Sequence, residues 1–188
     1  MRIACLGWGS LIWKPDNLQL SSDWASDGPN LPIEFARESA DGRMTLVLVD
    51  NAIQSPTLWA MLSATDIDTA ISDLAKREKI SEKNKKYSIG YWESYSCTSH
   101  GKYSDEISKW AIEKGLDGVV WTNLKYGFQT ARNQIPTSDE VIKHLKELPI
   151  EKKRKAEEYV RKTPLQVRTN YRNVIENKLG WFPVSGNA

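Results

Sequence analysis

The balance between strand-like and helical spacing shifts along this chain, and that shift constrains the fold more than any other feature. Up to about residue 122, short apolar and aromatic runs are punctuated by turn signals; from residue 138 onward, apolar residues recur at helical spacing. Strands dominating the first two-thirds and helices the end predict an α+β chain. Strands are expected at Ile3–Leu6, Leu31–Arg37, Arg43–Asp50 and Pro56–Leu62, with Asp41-Gly42 as a hairpin turn. Thr65–Lys79 reads as a helix with Thr65 as N-cap and Asp66 and Asp68 in its first turn. A strand over 87–96, a helix over 105–115 ending at Gly115, and a strand at Gly118–Thr122 follow. Helices are expected at 138–147, 150–162 and 165–179, broken at Pro164 and closed by Gly180. Residues 14–30, rich in Ser, Asp, Asn, Gly and Pro, read as a long loop. The expected architecture is a mixed, mostly antiparallel sheet curled into a barrel with flanking helices. It would form a domain over 1–135, with a helical extension over 136–188 packed on it.

At 188 residues the chain is long enough to bury a real core. Its net charge of +2 creates no field that argues for nucleic acid. The basic runs Lys83-Asn84-Lys85-Lys86 and Lys152-Lys153-Arg154-Lys155 lie among glutamates and read as solvated faces. Cys5 and Cys97 are the only cysteines, too few for a disulfide framework or a structural zinc site. No apolar run reaches membrane-spanning length, and the first residues carry no signal-peptide cleavage pattern. These features predict a cytoplasmic protein without nucleic acid, a membrane span or a structural zinc site, expected as a monomer or homodimer. Eight tryptophans imply large flat aromatic walls in a core or pocket, some needing a partner for the indole N–H.

Two local features point to chemistry. In Leu6-Gly7-Trp8-Gly9-Ser10-Leu11-Ile12-Trp13, glycines break an apolar strand. Glycine there permits positive φ and the close approach of a ligand, and successive N–H groups in such a turn can nest an anion. The same residues also read as a strand ending in a tight turn with two packed tryptophans. The third glycine and later acid of a dinucleotide fingerprint are missing, as is the Gly-Lys-Ser/Thr of a P-loop. The second feature is Glu78, which continues the apolar stripe Ile67, Ile71, Leu74 of its helix, while Lys76 and Arg77 fall off that stripe. A carboxylate on an apolar face is poorly hydrated and suited to shuttling a proton. Alternatively, the last turn frays and Glu78 points to water or pairs with a lysine. Glu34 and Glu38 compete for the role; strand alternation with Ile33, Phe35 and Arg37 on one face turns Glu34 away from the core.

These features fall into an order. Trp8-Gly9-Ser10-Leu11-Ile12-Trp13, then Phe35-Ala36-Arg37-Glu38-Ser39-Ala40-Asp41-Gly42-Arg43 with Thr45-Leu46-Val47, then Leu74-Ala75-Lys76-Arg77-Glu78, and Gly118-Val119-Val120-Trp121-Thr122 are found in sequence. So arranged, the chain resembles the γ-glutamylcyclotransferase-like family, especially its bacterial branch related to the glutathione-degrading ChaC proteins, over about residues 2–130. Trp8 stands where that family usually has tyrosine, which removes a hydroxyl. The resemblance implies a reaction in which a γ-glutamyl α-amine attacks its own γ-carbonyl, releasing 5-oxoproline and an amine, with no cofactor. It also implies Glu78 as general acid/base, with substrate held by Trp8, Gly9, Ser10, Leu11, Arg37 and Ser39. Arg37 is equally readable as one half of a structural ion pair. A binding or regulatory module with little turnover, and an interaction protein using its basic tail, remain as alternatives.

Other constellations are weaker. Cys97 and His100 are close in a loop-like stretch, but two ligands do not make a metal site. His144 lies among charged residues and is expected at the surface. Tyr126-Gly127-Phe128 reads as a pocket wall or a turn with two packed aromatics. Tyr159, Val160, Tyr171, Val174, Ile175 and Leu179 are expected to cover one edge of the barrel.

Overall fold

The structure, a computed structural model, describes residues 1–184. It is α+β, and its elements fall into two units that interleave in sequence. One comprises Met1–Gly7, Lys14–Asn30 and Pro56–Leu124; the other comprises Trp8–Trp13, Leu31–Ser55 and the chain from Lys125 onward. Neither coincides with the expected 1–135 and 136–188 spans.

In the first unit, β1 (Ile3–Gly7) is buried at every position, which is why it reads as an unbroken apolar run. It lies between β5 (Leu58–Met61), antiparallel with Cys5 opposite Ala60, and β8 (Gly118–Thr122), parallel with Cys5 opposite Val120. β6 (Ile89–Glu93) pairs antiparallel with β8, and the exposed β7 (Thr98–His100) forms the far edge, giving the order β5-β1-β8-β6-β7. Residues 14–30 are irregular but not loose: Ala25 and Trp59 exchange backbone hydrogen bonds of 2.8 and 3.0 Å, and Ser21 N donates to Met61 O at 2.8 Å. Asp27 in this stretch accepts from the Trp59 indole (2.8 Å) and from Lys114 (2.6 Å), while its carbonyl accepts from the Trp110 indole.

Helix α1 (Ile67–Arg77) starts one residue later than expected, because Asp66 rather than Thr65 caps it, accepting from Thr69 N at 2.8 Å. It buries Ile67, Ala70, Leu74 and Ala75 and packs on β8 and β6; Ile71 is only half-buried. Helix α2 (Glu82–Ser88) occupies the start of the expected 87–96 strand. None of its residues is buried, so no apolar period announced it. Helix α3 (Ser104–Glu113) buries Ile107, Trp110 and Ala111 and is terminated by Gly115 at φ 63°.

In the second unit, β2 (Asn30–Glu38) pairs antiparallel with β3 (Met44–Leu48), with a bulge between Phe35 and Arg37. β9 (Gly127–Phe128) runs parallel to β2, and β10 (Ala131–Arg132) antiparallel to β9, in the order β10-β9-β2-β3; β4 (Gln54–Pro56) also pairs with β2. Both sheets are mixed and mostly antiparallel, as expected. Neither closes on itself, so the expected barrel is replaced by two open sheets, one in each unit.

Helices α4 (Ser138–Glu147), α5 (Ile150–Lys162) and α6 (Asn170–Leu179) complete this unit. The Thr137/Glu140 capping box opens α4. The last helix begins at Asn170 rather than 165 because Arg172, fully buried, folds the preceding segment around itself. It donates to the carbonyls of Pro164 (2.7 Å), Val167 (2.8 Å) and Thr163 (3.0 Å) and pairs with Glu176 at 3.0 Å. Replacing Arg172 with Met should lower the unfolding free energy by about 3 kcal/mol, because it leaves buried carbonyls without donors and Glu176 with only the more distant, exposed Arg168 at 3.9 Å. Urea denaturation measures this, and Arg172→Lys, which lacks the planar fork, should restore little of the loss.

Candidate functional site

Glu78 belongs to the first unit. It is the C-cap of α1, its N–H donating to Leu74 O at 3.0 Å, and its side chain is only 18% exposed. The apolar stripe therefore does carry the carboxylate inward. Arg77, expected to stay wet, is instead the more buried of the two at 7% side-chain exposure. Its Nη1 pairs with Glu78 Oε1 and its Nη2 donates to Lys14 O at 2.7 Å. Burial of a charged pair is tolerable only with such mutual compensation. On β1, burial first, then the negative charge of Glu78, holds the Cys5 thiol well above its usual range, against the opposing charge of Arg77. Burial of this kind favours the thiol over the thiolate.

The other candidates lie in the second unit. The Trp8 side chain is buried and its indole donates to Leu46 O at 3.3 Å; Leu11 is buried as well. Gly9 opens a tight turn, with Ile12 N donating to Gly9 O at 3.0 Å. Its backbone is not left-handed, contrary to the expectation of positive φ. What it needs is space: a Cβ there would sit 2.3 Å from the Tyr159 hydroxyl. Tyr159, on α5, accepts from Leu46 N at 3.2 Å and meets Trp13 and Phe35 edge-on, with ring centroids 5.5 and 6.2 Å away. The close approach that the glycine permits is therefore filled by a side chain of this chain.

Arg37 donates from Nη1 to Lys125 O at 2.7 Å. Ser39 organises the hairpin: its N–H donates to Arg43 O (2.8 Å), its carbonyl accepts from Gly42 N (3.0 Å), and its hydroxyl donates to Asp41 Oδ1 (2.5 Å). Gly42 takes φ 86°, a position where glycine is required. Arg43 Nε lies 2.9 Å from both Asp41 oxygens. Burial tends to raise the Asp41 pKa, but the Arg43 and Ser39 hydrogen bonds outweigh it and hold the carboxyl below its ordinary value.

The remaining candidates are dispersed. Glu34, expected to face away from the core, is 4% exposed. It accepts from Phe35 N (2.9 Å), Tyr171 N (3.2 Å) and the hydroxyl of Thr169, the N-cap of α6, and so anchors that helix. Burial is the largest influence on it and leaves its pKa raised despite those donors. Glu38 accepts from Gln129 N and Nε2. His144, expected at the surface, is half-buried with Nε2 2.7 Å from Gly42 O, and Phe128 packs on its ring. Cys97 and His100 are exposed, and no group of three or more potential metal ligands occurs among the described residues. Sequence reasoning placed Tyr159 only as packing and Arg43 only as a hairpin end. Nothing local marks a tyrosine 150 residues downstream of Gly9 as its neighbour.

Two measurements test these roles. Gly9→Ala should destabilise by about 1–3 kcal/mol through overpacking, and Tyr159→Phe by a similar amount through the orphaned Leu46 N–H. The double variant should lose clearly less than the sum, because removing the hydroxyl makes room for the methyl. For Glu34, a folded pKa raised above the unfolded one means stability present below the ordinary glutamate range and lost as pH rises through the raised value. The stability of the protein relative to Glu34→Gln should therefore fall with rising pH across that interval and level off above it, as read from urea melts.

No helix among the described residues is long and apolar enough to cross a membrane. No protein-family model matches the chain, and no curated protein or solved structure is significantly similar to it.

Proposed function

We propose that this chain is a γ-glutamyl cyclotransferase, with Glu78 as its general acid/base. The observation that carries the reading is the largely buried Glu78 carboxylate at the end of α1, held by the buried Arg77 guanidinium. The ordered motifs from Trp8 to Trp121 support it. In this reaction the substrate's α-amine attacks the γ-carbonyl, forming the ring C–N bond. Glu78 takes the proton released by that nitrogen and returns it to the departing nitrogen as the original amide bond breaks. The products are 5-oxoproline and the free amine, and no proton is gained or lost overall. Holding the substrate folded for attack supplies much of the rate gain.

A second reading, a binding module with little turnover, draws support from two observations. The Glu78 charge is already countered by Arg77, and Tyr159 fills the space beside Gly9. The two readings part on 5-oxoproline release from a panel of γ-glutamyl compounds that includes glutathione. Release by the unmodified protein, falling about 100-fold or more in Glu78→Gln, is the expected result. Equal release by both proteins would remove Glu78 from the mechanism, and silence across the panel would favour the binding module.

A further inference from the structure

We propose that Arg43 is a carboxylate-binding residue, its two Nη groups forming the fork that takes a carboxylate of the substrate. The inference rests on the γ-glutamyl reading and names an anchor that the ordered motifs do not single out.

Three features of the second unit prepare Arg43 for this task. Its Nε edge is already committed to Asp41, at 2.9 Å from both oxygens, and Asp41 is itself held by the Ser39 hydroxyl. This fixes the guanidinium within one hairpin. The Arg43 Cζ atom lies 5.4 Å from the centre of the Tyr159 ring, which shields one side from water and holds the cation against an aromatic face. Tyr159 in turn is fixed by Leu46 N, Gly9, Trp13 and Phe35. Finally, among the described residues no hydrogen bond engages the Arg43 Nη groups, and the side chain is 29% exposed. Arg37, Arg132 and Arg172 differ, each directing Nη groups to backbone carbonyls.

A guanidinium held along its Nε edge and stacked on a ring offers its outer Nη1–H and Nη2–H pair in a plane. That geometry matches the two oxygens of a carboxylate. Little side-chain entropy remains to be lost on binding, because the fork is already placed. The ring beneath Arg43 is the ring whose hydroxyl abuts Gly9, so a carboxylate taken by the fork lies close to the Gly9 turn. A γ-glutamyl amino acid has two carboxylates that could occupy the fork: the α-carboxylate of the glutamyl group and that of the leaving amino acid.

Equilibrium titration of tryptophan fluorescence tests the assignment, since Trp13 lies edge-on to Tyr159. The ligands are γ-glutamylalanine and γ-glutamylmethylamide, and the full chain carries Glu78→Gln throughout so that no ligand is consumed. Adding Arg43→Gln should weaken γ-glutamylalanine binding about tenfold or more. Arg43→Lys should not restore it, because an ammonium cannot pair with Asp41 and present a fork at once. Equal weakening of both ligands assigns the α-carboxylate to Arg43; weakening of γ-glutamylalanine alone assigns the carboxylate of the leaving group. Undiminished binding of both ligands by a folded Arg43→Gln protein overturns the proposal, as does failure of the parent protein to bind either. Should Arg43→Gln not fold, wild-type affinity in folded Arg43→Lys overturns it equally, and lost affinity sustains it. Binding that depends on Arg43, together with no 5-oxoproline from the unmodified protein, would keep this anchor and remove the catalytic reading.

Discussion

The second unit depends on two hydrogen bonds at one residue. Leu46 lies on β3, the terminal strand of its sheet, and an outward-facing edge leaves backbone groups unpaired. Here the Tyr159 hydroxyl accepts from Leu46 N, and the Trp8 indole donates to Leu46 O. One aromatic comes from the turn after β1 and the other from α5, more than 100 residues later. The edge is closed by side chains instead of a further strand. The Gly9 turn, the hairpin and α5 are thereby tied to the same point. A buried backbone N–H and C=O left unpaired would destabilise the unit, so the aromatic pair satisfies a structural requirement as well as shaping the surroundings of Arg43.

Buried charge is handled differently in the two units. In the first, Arg77 and Glu78 compensate each other, and Arg77 also reaches the Lys14 carbonyl. In the second, Glu34 is surrounded by N–H and hydroxyl donors, and burial leaves its pKa raised. Arg172 is surrounded by carbonyls and one carboxylate. Glu34 and Arg172 have structural duties, anchoring α6 and shaping the segment before it. Glu78 sits at a helix end, partly open to solvent and paired with Arg77.

Much of the architecture was legible in the chain. β1, β2, β8 and the helices α4 and α5 follow from apolar periodicity because each presents a consistently buried face, and Asp41-Gly42 marked its hairpin through the conformation glycine alone adopts easily. Helix α2 was missed because it buries nothing, and α6 began late because Arg172 claims the carbonyls of residues 163–167. The burial of Glu78 could be read from its spacing to Leu74. That of Arg77 could not, since a buried cation breaks the pattern unless its partner is known. Strand alternation misplaced Glu34, because its partners come from α6, far along the chain.

By itself, the sequence determined what local periodicity and turn chemistry encode: the α+β class, most element positions, the tight turn at Gly9 and an inward carboxylate at Glu78. Tertiary structure alone decided that the sheets stay open and that Gly9 makes room for Tyr159. It also decided that Arg37 serves a backbone carbonyl while Arg43 keeps its fork unengaged among the described residues. The physical reason is range. Hydrophobic period and backbone preference act over a few residues, whereas the satisfaction of buried polar groups is settled by partners that only the folded chain brings together.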